Sequence, residues 1–317
     1  MEKTKVTAKD FFLWAGAMVA LYWSVISFIF LVFNYIDYTY PDALSYTPTD
    51  PYQSGVGHEM ASIIVLFPLY LVLMWLIRRD MHRDPSRKNI WVRRWALILT
   101  LFVTGATIAV DLITLLTAFF NGTSLTEPFL FKVALVLLVA AAGFMHFTAD
   151  LWGYWDQFPQ RKLSVGIGVG ILAVVTIIAG FFIIGTPMQA RAYQYDQQKV
   201  NDLQAIQNEV IMYWQQTGKL PSSLATLNDL TSGVVVPADE QTGKQYEYDV
   251  LGKLAFKICA TFNSETPAYA ITQNELSVPV APQAVGQQSV VDSWYHAAGD
   301  QCFTRNIDPA RYPSVKA

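Results

Sequence analysis

Two charged residues, Asp111 and Lys132, lie inside apolar stretches of this 317-residue chain. A charge surrounded by hydrocarbon is costly, so it marks either an ion or proton path or a specific partner. Asp111 stands about nine residues from the end of its segment and Lys132 about three from the start of the next. On a rise of about 1.5 Å per residue their depths differ by roughly 9 Å, much of which a lysine side chain covers. The spacing predicts an Asp111–Lys132 ion pair. It serves either a transport path or packing, with Lys132 snorkelling outward while it neutralises Asp111. One pair is not a relay, which favours packing.

The remaining candidates each meet a plainer explanation. His58-Glu59 opens an apolar segment, but His58-Glu-Met-Ala-Ser62 lacks the second histidine of a zinc-binding helix, and Glu59 fits the positive end of a helix dipole. His146 and Asp150, four apart, share a helix face beside Trp152 and Trp155, as interfacial polar residues do. His296 and Asp300 are an acid-base dyad only if a nucleophile joins them, and none with a recognisable elbow is present. Asp239, Glu240 and Glu247 offer oxygens to calcium without the Asp-rich spacing of a dedicated loop. Gly166-Ile-Gly-Val-Gly170 lies within an apolar span and follows no strand, so it is not a phosphate loop. Gly166 and Gly170 form a small-xxx-small face for close helix packing, inside the bundle rather than in a dimer. No cofactor or metal site is expected.

These residues are positioned by five apolar segments at about 11–36, 60–77, 95–120, 129–149 and 163–185. Each is long enough to cross roughly 30 Å of hydrocarbon. The first, about 25 residues, is too long for a signal peptide and lacks a small-x-small cleavage site, so it reads as a retained helix with Thr7 or Asp10 near its cap. Lys3, Lys5 and Lys9 precede it, Arg78 to Arg94 crowd the second connection, and Arg161-Lys162 precede the fifth segment. Residues 37–59 and 121–128 contain no Lys or Arg. The positive-inside rule therefore places the N-terminus in the cytoplasm and residues 188–317 outside it. Trp75, Trp91, Trp95, Trp152 and Trp155 mark the same cytoplasmic ends.

After Gly185-Thr186-Pro187 the composition turns polar. Tyr193, Val200, Leu203, Ile206, Val210 and Tyr213 then trace one buried face of a long helix that ends near Thr217-Gly218. Residues 222–230 read as a short helix or turn. Gln245–Val250 and Leu254–Phe262 read as two strands about Leu251-Gly252, 277–288 as an irregular loop, and Trp294–Phe303 as a return to the fold. Cys259 and Cys302 are the only cysteines. They fall in the compartment where a disulfide persists, and a bridge between them is expected. Residues 1–187 carry thirteen Lys/Arg against twelve Asp/Glu, and 188–317 nine against thirteen. Neither balance suits a phosphate backbone, which argues against nucleic acid.

Two resemblances add to this. Thr7–Phe12, Arg78-Arg79-Asp80, Arg93–Leu97, Val110–Ile113 and Phe129–Lys132 resemble an uncharacterised bacterial membrane family known only as a four-helix domain of unknown function. That resemblance covers about residues 7–155 and puts Asp111 and Lys132 where the family has an acid and a base. Tyr213–Pro221, Pro237–Gly243 and Tyr246-Glu-Tyr248 make residues 188–262 similar to the periplasmic part of type II secretion pseudopilins. This implies a long N-terminal helix laid on a small antiparallel sheet. The expected whole is a five-helix integral membrane bundle (1–187) carrying an extracytoplasmic α+β pilin-like domain (188–317) in a bacterial inner membrane. The expected role is non-enzymatic: anchoring that domain for an envelope protein or a second copy, besides the lipid bilayer. The alternative is a small transporter or channel component built on Asp111, Lys132, His58 and Glu59.

Overall fold

The computed structural model describes residues 6–40, 55–84, 87, 90–228, 235–267 and 293–313. The chain divides into two compact units, Met1–Gly185 and Thr186–Ala317. The boundary falls two residues before the expected one, because Thr186 caps the next helix.

The first unit contains α1 (Ala8–Thr39), α2 (Val56–Arg83), α3 (Trp91–Phe120), α4 (Glu127–Leu151), a single turn α5 (Tyr154–Gln157) and α6 (Pro159–Ile184). Five of these, all but α5, are long and apolar enough to cross a membrane. The expected segments are found, with α1 to α4 longer at one or both ends and α6 starting four residues earlier. Hydropathy marks only the apolar middle of a helix, whereas hydrogen bonding carries on until a cap stops it. Thr7 caps α1 in a reciprocal box with Asp10, and Gly153 and Gly185 take positive φ at helix boundaries. α1 packs along α2, and α3 along α4. Trp14, Ala17 and Met18 of α1 share a core with Ile77, Val92 and Ala96, while Leu31 packs with Met60 and Ile63. Large apolar side chains such as Phe102, Leu138 and Phe182 point outward, as on helices whose surroundings are apolar.

The second unit opens with α7 (Pro187–Thr217), capped by Thr186 and Gln189 and ended by Gly218 at φ +71°. A 3-10 turn (Leu224–Leu227) follows, then an antiparallel sheet in the order β1 (Glu247–Val250), β2 (Ala255–Phe262), β3 (Gly299–Asn306). Side chains alternate along β2. Phe256, Ile258, Ala260 and Phe262 join Leu203, Ile206 and Val210 of α7 in one core. Lys257, Cys259 and Thr261 lie on the opposite face. Cys259 and Cys302 are direct partners in the β2–β3 register and form the expected disulfide. β1 and β2 match the two expected strands; β3 is a strand where only a return to the fold was expected. The expected 277–288 loop lies outside the described residues.

Candidate functional site

The ion pair expected between Asp111 and Lys132 does not form. Lys132 Nζ lies 2.6 Å from Asp37 Oδ1 at the end of α1. Depth along a helix does not fix which way a side chain faces, and on α4 Lys132 faces α1. Its ammonium also lies 5.6 Å from the Phe33 ring centroid. Asp111 is 9% exposed, and among the described residues it has no ion-pair partner. Its Oδ2 is buried without a hydrogen-bond partner, an exception to the rule that buried polar atoms are satisfied.

Asp111 lines a groove of about 400 Å³ along α3, walled by Phe102, Val103, Val110 and Val136. The other hydroxyls on this wall are engaged within the helix: Thr107 donates to the Val103 carbonyl and Thr114 to that of Val110. The groove is thus mostly apolar, with one carboxyl oxygen, Asp111 Oδ2, left without a partner.

Gly166 and Gly170 do not form the expected contact inside the bundle: a Cβ at either would meet nothing within 4 Å. The close approach is farther along the same helix, at Gly180. A Cβ there would fall 2.5 Å from Met60 Sδ and 2.7 Å from Tyr35 Oη. Tyr35 donates to the Thr176 carbonyl at 2.8 Å, one turn earlier. The signal for Gly180 was present in Ala173, Thr176 and Gly180, which continue the small-residue face of Gly166 and Gly170.

His58 and Glu59 sit in the first turn of α2, His58 exposed. Asp150 pairs with Arg93 at 3.4 Å, while the His146 ring lies 5.0 Å from that of Trp155, whose Nε1 donates to the His146 carbonyl. His146 and Asp150 are therefore bound to different neighbours rather than to each other. His296 and Asp300 are also separated. The His296 ring stacks on Phe262 at 3.7 Å, whereas Asp300 accepts from Thr261 Oγ1. Burial pushes the His296 pKa below the ordinary imidazole value.

A polar strip on α7 was missed. Asp196, Lys199 and Asp202 are 1%, 2% and 6% exposed, on the face that also buries Tyr193 and Leu203. Asp196 accepts from the backbone N–H groups and side chains of Asn263 and Ser264. Lys199 donates to Gln241 Oε1 at 2.7 Å and to the Thr261 carbonyl at 2.8 Å. Asp202 accepts from Tyr246 at 2.7 Å, and burial together with this bond raises the Tyr246 pKa. The three-residue spacing 196-199-202 was the available signal. Hydrophobic periodicity counts only apolar residues, so it does not mark these charges as part of the buried face. Asp239 accepts from Gln241 N and Thr242 Oγ1 in its own turn and faces the Lys199 ammonium at 3.9 Å. The position considered for calcium is thus served by a lysine, with Glu247 exposed on β1.

Residues 10–147, from the first turn of α1 to the last turns of α4, match the family model described as Domain of unknown function (DUF5671). No curated protein and no solved structure matches the chain. The matched stretch contains Asp111 and Lys132 and stops before the second unit, so the pseudopilin likeness of residues 188–262 falls outside it.

Proposed function

We propose that this is a non-enzymatic protein of a bacterial inner membrane. Its five-helix bundle anchors residues 188–317 outside the cytoplasm as a pilin-like domain that binds an envelope partner. The observation that carries this reading is the Cys259–Cys302 bridge across β2 and β3, in a unit with its own core. Such a bridge persists in an oxidising compartment, the side to which the positive-inside rule assigns this half. The sheet face opposite α7 carries polar groups such as Lys257 and Thr261, a surface suited to a reversible partner.

In-cell crosslinking followed by purification tests it. An envelope protein enriched several-fold with the full chain, and not with a chain ending at Thr186, is the expected result. Equal recovery with both chains overturns the reading. A second reading, a transporter or channel component, is favoured by one observation: Asp111 has lost the partner that would have made it structural. It predicts that Asp111→Asn abolishes a flux at unchanged protein level.

A further inference from the structure

We propose that the Asp111 groove is a binding site for a lipophilic monovalent cation. The inference deepens the second reading above by naming a ligand class, but it needs binding only and not transport.

Three features converge. The carboxyl is nine-tenths buried, and one of its oxygens makes no hydrogen bond. Lys132, the cation nearest in depth by sequence, is held by Asp37. A buried carboxylate in an apolar wall calls for a positive charge or a donor, and the described residues supply neither. The groove decides which kind of cation fits. At about 400 Å³ it lies within the roughly 300–1,000 Å³ range of small-molecule sites, far larger than a bare ion needs. A hard metal cation also asks for about six to eight oxygens, and the side chains that line the groove offer the Asp111 carboxyl and the hydroxyls of Thr107 and Thr114, which is too few.

The walls suit a ligand whose charge is spread beneath an apolar surface. Phe102, Val103, Val110 and Val136 offer hydrocarbon contact along the length of the groove. Asp111 stands nine residues before the end of α3 at Phe120, about 14 Å along the axis on a rise of about 1.5 Å per residue. The ligand therefore reaches its counter-charge through hydrocarbon, which strongly hydrated cations avoid.

The test uses the full chain in lipid nanodiscs with tetraphenylphosphonium as the probe and triphenylphosphine oxide as its neutral counterpart. Saturable binding of about one phosphonium per chain is expected, not displaced by the oxide. Asp111→Asn should weaken it about tenfold or more, as loss of a desolvated charge pair does. Should that variant fail to fold, Val136→Phe fills the groove with Asp111 intact and should abolish the saturable component. Absence of saturable binding to the wild-type chain, equal binding by Asp111→Asn, or unchanged binding by Val136→Phe each overturns the proposal. So does a second copy in the groove, read as Thr107→Cys chains crosslinking through that residue. Saturable binding by the wild-type chain with no accompanying flux would count against the transport reading alone.

Discussion

The Lys132 ammonium on α4 is neutralised by Asp37 on α1, 2.6 Å away, and Asp111 is left without that counter-charge. Lys132 was legible as a charge needing a counter-charge, and its depth was legible from counting along the segment. Its actual partner, Asp37, lies on a different helix, just beyond the apolar stretch at 11–36. Counting gives height along a helix but not the rotation that decides which neighbour a side chain meets. A double-mutant cycle separates the two pairings. Asp37→Asn with Lys132→Gln should show a coupling of about 0.5–1 kcal/mol, as for partly exposed ion pairs. Asp111→Asn with Lys132→Gln should be additive within about 0.3–0.5 kcal/mol. Coupling confined to Asp111 and Lys132, read from unfolding in detergent, would restore the first expectation. The buried Asp196, Lys199 and Asp202 were invisible for a related reason. Their neighbours Asn263, Gln241 and Tyr246 come from distant parts of the chain, and nothing in α7 alone announces them.

Elements were more legible. Five long apolar runs, a polar amphipathic helix ended by Gly218 and a hairpin about Leu251-Gly252 all follow from period, length and turn chemistry. The contacts of α6 were less so. Its small-residue face is continuous from Gly166 to Gly180, yet only the part around Ala173, Ile177 and Gly180 packs against α1 and α2. Spacing identifies a face able to admit a helix, but the neighbour that occupies it is a property of the whole bundle. Gly180→Leu should therefore lower the stability of the bundle by about 1–3 kcal/mol, because Met60 and Tyr35 must move. Gly170→Leu should stay within about 0.5 kcal/mol of the wild type. Thermal unfolding of both variants in the same detergent makes the comparison, and equal losses would mean that a helix does cover Gly170.

For the whole molecule, the composition turns polar from Met188 onward and the chain divides into compact units at Gly185, while the compartment expected for the two cysteines led to the bridge found in the second unit. It spans 43 residues, and the chain-entropy account credits a loop of that size with roughly 4 kcal/mol. Activity was not legible, because no constellation of reactive groups announces one. Charge counts assign a side of the membrane to every loop, and the account rests on that assignment for residues 188–317. The most direct measurement uses the chain's only two cysteines. Intact spheroplasts are treated with a membrane-impermeant phosphine and then with an impermeant maleimide. Cys302, which is exposed on β3, should be labelled from outside, with no labelling unless the phosphine comes first. Labelling that appears only after the membrane is permeabilised, or that needs no reductant, would put the second unit in the cytoplasm or leave its thiols unbridged, and would contradict the account.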